Sequence, residues 1–165
     1  MKLRFIFPLS LLIFSALLSL FPSCGTGKIP ALSEAQCLGA GMEGSIRLKA
    51  WGYDSSLKKA IEKAKRNAVQ EALFKGIKAG VSGCPNTPIV PQGLEKNPDY
   101  FKEFFKEGGT YLHYVNLSGD GSILPENRIK VGRKYKVGVF VVVDHRRLKQ
   151  KMQEDGLAPK LIDGF

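Results

Sequence analysis

The most reactive side chains are three cysteines and two histidines, and their spacing assembles no catalytic or metal-binding motif. His113 lies between tyrosines, and no serine, cysteine or carboxylate is placed in sequence to work with it as a base. Cys37 and Cys84 are remote in sequence from both His113 and His145, so they do not predict a metal ligand set. Asp120 lies in a turn that lacks the spaced acidic ligands of a calcium loop. We therefore expect no enzyme, no metal site and no cofactor.

A concentration of basic residues towards the C-terminal end is the strongest candidate for binding. Nine lysines and arginines lie between Arg128 and Lys151, where Asp144 is the only acid. If the loop of a predicted hairpin and the last helix are neighbours in space, five of the basic residues in this region form one positive patch. They are Arg133, Lys134, Arg146, Arg147 and Lys149. Such a patch could bind phosphates or carboxylates; the alternative is a generically basic surface, in keeping with the formal net charge of +10.

Four aromatic residues lie close together in a short predicted helix, residues 99–106. They are Tyr100, Phe101, Phe104 and Phe105. Aromatic side chains at this density could form a hydrophobic contact surface for a partner. The favoured interpretation is that they close the open end of a core.

The first 24 residues have the pattern of an export signal. Lys2 and Arg4 precede an apolar stretch, residues 5–21, that is interrupted by one proline and three serines. The alternative is a membrane-spanning helix, for which the stretch is at the short end. The following residues, Phe21-Pro22-Ser23-Cys24-Gly25, resemble the lipobox of bacterial lipoproteins. The resemblance implies cleavage before Cys24 and lipidation of that cysteine; the alternative is a signal peptide that is cut elsewhere.

If Cys24 carries lipid, Cys37 and Cys84 remain, and an even remainder in an exported protein predicts one disulfide. The closed loop of about 47 residues would contribute roughly 4 kcal/mol in the chain-entropy model. Two unpaired thiols are the alternative. Residues 25–43 are rich in glycine, which predicts a flexible tether between the anchor and the domain. Acidic residues directly after the lipidated cysteine resemble a surface-export signal of some bacteria. This chain has Gly-Thr-Gly-Lys there instead, so the comparison with lipoproteins implies the periplasmic face of the outer membrane.

The elements that would position these residues start with a strand and a long helix. Residues 45–52 alternate apolar and polar side chains, with Ile46, Leu48 and Ala50 on one face and Arg47, Lys49 and Trp51 on the other. The helix, residues 56–79, repeats alanine every fourth position, which predicts close packing on a sheet. These alanines are Ala60, Ala64, Ala68 and Ala72.

Three further strands and a last helix complete the prediction. The strands are residues 110–117, 128–131 and 134–143, with the last two joined as a hairpin at Gly132-Arg133. Asp144 is the predicted cap of a helix over residues 145–155 that buries Leu148 and Met152 and stops at Gly156. We predict an α+β domain over residues 44–156, with about four antiparallel strands in the order β-α-β-β-β-α, and a tail over residues 157–165.

This pattern is similar to the small domain of LPP20-type lipoproteins and of the N-terminal part of the flagellar assembly protein FlgT. The likeness rests on residues 44–48, the alanine-repeat helix over residues 60–73 and the strand over residues 135–143. It implies a non-enzymatic module of the cell envelope that docks on other proteins.

We therefore expect an envelope lipoprotein that acts by binding. A membrane contact through the lipid anchor and an envelope protein partner are expected, with anionic lipid or peptidoglycan as further partners. Export argues against nucleic acid. The alternatives are a sensor or carrier of a small anionic ligand and, least favoured, an enzyme.

Overall fold

The computed structural model describes residues 35–77 and 83–159. The predicted signal peptide, Cys24 and the first part of the predicted tether lie outside these residues, as does the end of the tail. All of the described elements belong to one compact unit, Leu32–Phe165.

The described part of the chain is an α+β domain, as predicted, with an antiparallel sheet of five strands rather than about four. The strands are β1 (Ala35–Ala40), β2 (Ile46–Asp54), β3 (Val115–Leu117), β4 (Arg128–Val131) and β5 (Lys134–Val143). Their order is β1-β2-β5-β3. Strand β4 lies on the same edge of β5 as β3 but at the opposite end, because β4 pairs with the start of β5 and β3 pairs with its end. The helices are α1 (Leu57–Gln70), α2 (Pro98–Phe104) and α3 (His145–Glu154).

Strand β1 corrects the prediction of a tether over residues 25–43, because five of its six residues pair with β2. Ala35 and Cys37 are buried opposite Ala50 and Leu48, and the register shifts between Cys37 and Gly39. Small side chains and this irregular register hide the alternation that normally reveals a strand. The folded domain therefore begins at least nine residues before the predicted boundary at residue 44.

Cys37 is joined to Cys84 by the predicted disulfide, with their Cα atoms 6.2 Å apart. Cys37 is fully buried on β1, whereas Cys84 is half-buried in the loop that follows the long helix. The bridge therefore fixes the edge of the sheet to a segment that has no strand of its own.

Helix α1 begins at the predicted turn, where the Ser56 side chain accepts a hydrogen bond from the Lys59 backbone N–H at 3.2 Å. The predicted alanine seam is confirmed, because all four alanines are at most 1% exposed. The seam packs against β2 at Gly52, where an added Cβ would lie 1.9 Å from the Ala60 carbonyl oxygen. Glycine at this position lets helix and sheet approach closely.

The helix continues into a π-helical turn, Glu71–Lys75, and ends at Gly76, earlier than predicted. The carbonyls of Ala72 and Leu73 accept hydrogen bonds from the backbone N–H groups of Ile89 and Val90 instead of from a further helical turn. Ile89 and Val90 thus supply the hydrogen-bond donors that the last carbonyl groups of the helix lack, as buried backbone groups require.

The aromatic residues of α2 and the segment after it lie in the core. Phe101, Phe104 and Phe105 are at most 6% exposed, so the hydrophobic contact surface proposed for these residues is wrong. Only Tyr100 is half-buried, and its hydroxyl donates to the Asp155 carboxylate. These residues close one end of the core, which is the favoured interpretation.

The strand predicted over residues 110–117 is correct only for β3. Thr110–Tyr114 form a 3₁₀ helix, because Tyr111 and Tyr114, three residues apart, are both buried. By contrast, the β4–β5 hairpin with its turn at Gly132-Arg133 is confirmed.

Helix α3 is also confirmed. The Asp144 carboxylate accepts from the Arg147 backbone N–H at 3.0 Å, and Leu148 and Met152 are fully buried. The predicted tail over residues 157–165 is partly wrong, because Ala158 is buried and its N–H donates to the Met152 carbonyl at 3.0 Å.

Candidate functional site

The five basic residues predicted as one patch lie in two separate places. Arg133 and Lys134 are at the start of β5, whereas Arg146, Arg147 and Lys149 follow its end. A strand of ten residues is about 30 Å long, so these groups cannot act together on one phosphate or carboxylate. The prediction of a single patch is wrong, because closeness in sequence across a long strand means separation in space.

The members of the second group have separate roles. The Arg147 guanidinium lies 3.6 Å from the Asp144 carboxylate and 6.0 Å from the centre of the Tyr114 ring. Lys149 lines a cavity of about 180 Å³ beside His145.

A different set of basic residues comes together on the sheet. Opposite residues of antiparallel strands share a face, and the register pairs Lys49 with Phe140, Trp51 with Gly138 and Tyr53 with Lys136. The neighbouring positions of β2 and β5 turn to the other face, where they are buried under α1. The predicted direction of Lys49 and Trp51, away from the core, is confirmed.

We call the outward-facing set the basic-aromatic face. It consists of Arg47, Lys49, Trp51, Tyr53, Lys134, Lys136 and Phe140, with Ile129 and Val131 of β4 beside them. The lysine and arginine side chains of this set are exposed or half-buried, and Ile129 and Val131 are 45% and 47% exposed.

The lysines of this face stand over its aromatic rings. The ammonium groups of Lys49 and Lys136 lie 5.0 Å and 5.1 Å from the centre of the Trp51 ring. That of Lys134 lies 5.2 Å from the Tyr53 ring. All three distances are within the range of cation–π attraction. The cations are therefore held above the sheet instead of moving freely on extended side chains.

The absence of a side chain at Gly138 leaves room for the Trp51 ring. A Cβ at residue 138 would lie 2.9 Å from two ring atoms, so the ring covers the backbone of β5 directly. A flat indole between Lys49 and Lys136 keeps the two ammonium nitrogens within about 10 Å of each other.

The face has one sign of charge. The only carboxylate in the described strands, Asp54, is opposite Tyr135 on the other face and lies 3.7 Å from Lys63 of α1. Arg47, Lys49, Lys134 and Lys136 form no ion pair within the part of the chain that the structure describes. Unpaired cations at fixed positions are suited to binding phosphate or carboxylate groups.

The sequence contains part of the signal for this face. Alternation puts Lys49 and Trp51 on one side of β2, and it puts Lys134 and Lys136 on one side of β5. What was missing is the pairing of β2 with β5, which are separated by about 80 residues and set side by side only by the fold.

A charged cleft of about 240 Å³ lies beside α1. It is lined by Asp54, Lys59, Glu62, Lys63, Arg66 and Glu107. Three acids and three bases give it no net preference for an anion, so it does not favour the small-anion carrier.

The His145 imidazole has an environment that disfavours its protonated form. Its Nε2 is buried with no hydrogen-bond partner within residues 35–77 and 83–159. Burial, and to a smaller extent the charge of Lys149, lowers the pKa of the imidazole from its ordinary value of 6.5. His145 is the first residue of α3 and lines two cavities, one of which is also lined by Cys84.

The other residues considered for chemistry remain apart. His113 is exposed, and the Asp120 carboxylate accepts from the Ser122 backbone N–H at 2.9 Å, which lowers its pKa. In the described residues no three His, Cys, Asp or Glu side chains are grouped so that they could hold a metal ion. Nor does any helix there have the length and apolar character needed to cross a bilayer.

The chain matches no protein-family model, no curated protein and no solved structure.

Proposed function

We propose that this protein is a bacterial envelope lipoprotein, anchored by acylation of Cys24, whose domain binds an anionic partner without catalysing a reaction. The observation that carries the binding role is the basic-aromatic face, because four cations there have no carboxylate partner among the described residues. Burying such cations against another surface gains the ionic contacts that the fold does not supply.

The compartment is supported by the disulfide. Bonds of this kind persist in oxidising spaces and are rare where glutathione keeps thiols reduced. Cys37 is fully buried beneath the sheet edge, as expected for a structural bridge and not for a reactive thiol. The disulfide and the export pattern of residues 1–24 agree, and both argue against nucleic acid as the natural partner.

The anchor and compartment are tested by the intact mass of the protein extracted from its native membrane, with and without reductant. We expect a chain that begins at Cys24, carries acyl chains and is about two daltons lighter than its fully reduced form. An unprocessed chain with free thiols would exclude the lipoprotein.

The binding role is tested by recovery of envelope components on the immobilised domain. The test variant is Lys49→Gln/Lys134→Gln/Lys136→Gln, and the matched control is Lys58→Gln/Lys96→Gln/Lys102→Gln, which removes three exposed lysines elsewhere. We expect the bound components to be lost from the first variant and kept by the second. Equal recovery on both variants would show that the face is not the binding surface.

A further inference from the structure

The basic-aromatic face combines cations, half-buried rings and exposed aliphatic side chains. Lys49, Lys134 and Lys136 provide charge, while Ile129 and Val131 of β4 expose nearly half of their surface beside them. Tryptophan, tyrosine and lysine are the side chains enriched where proteins meet the headgroup layer of a bilayer. A ligand that only stacks on rings, such as a nucleic-acid base, would first have to displace the ammonium groups over Trp51 and Tyr53.

The length of chain before the domain limits how far this face can lie from a lipid anchor. Eleven residue steps separate Cys24 from Ala35, the first residue of β1. Whatever their conformation, they span at most about 40 Å. The chain enters the sheet at β1, and β1 pairs with β2, which carries Lys49 and Trp51.

We propose that the anionic partner of this face is the phospholipid surface of the bilayer itself, on which the domain lies with its basic-aromatic face against the headgroups. The proposal rests on the proposed function for the anchor, but the contact is a property of the face alone. The short chain from Cys24 keeps the face close to the bilayer, so a weak contact suffices to orient the domain.

The test uses the unit Leu32–Phe165, which contains every described element and the disulfide and has no lipid anchor. The oxidised protein is mixed with vesicles of phosphatidylcholine alone or of phosphatidylcholine and phosphatidylglycerol in equal parts, and binding is measured by co-sedimentation. Trp51, the single tryptophan of the chain, reports on the face directly. We expect binding to the anionic vesicles with a blue shift of Trp51 emission, and quenching by lipids brominated on their acyl chains.

The variants assign the contact to the face. Each lysine near an anionic bilayer contributes a factor of about five in partitioning, so Lys49→Gln/Lys134→Gln/Lys136→Gln should lower binding about a hundredfold. The matched control, Lys58→Gln/Lys96→Gln/Lys102→Gln, removes the same net charge and should stay within about twofold of the unmodified domain if the face alone makes the contact. Circular dichroism of both variants confirms that the fold is kept.

Four results would overturn the inference. They are equal losses in the two variants, vesicle binding that leaves Trp51 emission unchanged, tighter binding to single-stranded oligonucleotide than to anionic vesicles, and no binding to anionic vesicles. If vesicles fail while envelope components are still recovered through the same lysines, the partner is a protein or peptidoglycan, and the proposed function stands without this inference.

Discussion

Gly52 offers the sharpest test of how the helix and the sheet are packed. It lies in β2 facing α1, and a Cβ built there would be 1.9 Å from the Ala60 carbonyl oxygen and 2.5 Å from the Ala64 nitrogen. Both are backbone atoms, so no side chain can rotate away. The backbone of Gly52 does not have a positive φ, and alanine is therefore disfavoured only by lack of space.

The expected cost of Gly52→Ala follows from this geometry. A carbon–oxygen contact normally needs about 3.2 Å or more, so the helix must retreat by more than 1 Å from the sheet; forced overpacking costs about 1–3 kcal/mol. The same movement stretches the hydrogen bond of 2.8 Å from Asn67 Nδ2 to the Trp51 carbonyl, which is worth about 1 kcal/mol. Alanine recovers about 0.4–1 kcal/mol through the unfolded chain. Together these effects give a net loss of about 2 kcal/mol, within a range of about 1–3.5 kcal/mol.

The assay is urea unfolding of the oxidised unit Leu32–Phe165, followed by circular dichroism. Gly138→Ala is the matched control, because the three atoms nearest to its Cβ would belong to the Trp51 ring, a side chain that can tilt away, and not to the backbone. We expect it to cost less than about 1.5 kcal/mol and to shift Trp51 emission. If Gly52→Ala lowers the free energy of unfolding by less than about 1 kcal/mol, the close approach of α1 to β2 does not limit this position.

Three further predictions concern pH, the disulfide and charge. Folding lowers the pKa of His145, so the unfolded chain takes up a proton on this residue at higher pH than the folded protein does. The free energy of unfolding should therefore fall as the pH drops below about 6.5. Urea titrations from pH 7.5 to pH 5.5 should show this decrease, and His145→Gln should make it smaller. Reduction of the Cys37–Cys84 bridge should lower the free energy of unfolding by about 4 kcal/mol. In the variant Cys37→Ser/Cys84→Ser, reductant should have no effect on stability. Equal urea midpoints for the oxidised and the reduced protein would show that the loop is already constrained without the bridge. Arg146→Glu/Arg147→Glu should weaken binding to an anionic partner less than Lys49→Glu/Lys136→Glu, although both variants change the charge equally. The reason is that the two arginines lie beyond the end of β5. A larger loss of affinity in the arginine variant would place the binding surface on α3.

The parts of the fold that were predicted correctly have a regular period or a strong local signal. The alanine seam of α1, the Gly132 turn and the Asp144 cap each depend on residues close in sequence. Strand β1 was missed because its six residues gain their place from β2 and from a bond to Cys84. Residues 110–114 were wrongly predicted as strand because their alternation concealed a second spacing, in which Tyr111 and Tyr114 share a buried side.

The candidate site could be predicted only in part, for a related reason. The density of basic residues between Arg128 and Lys151 predicts one patch, but the long strand β5 separates the basic residues before it from those after it. The face that does form joins alternate residues of β2 and β5, and the pairing of these strands depends on contacts distant in sequence.

The disulfide also determines how the domain would respond to a mechanical load. A pull on the chain before β1 reaches Cys37 after two residues of the strand, and from there it passes through a covalent bond to Cys84. The edge strand therefore cannot be peeled from the sheet beyond that point. The 47-residue loop closed by the bridge, which contains β2 and α1, cannot be drawn out by a pull on the two chain ends. Under tension the described chain could lengthen only before Cys37 and after Cys84, while the strand that carries Lys49 and Trp51 would remain in the closed loop.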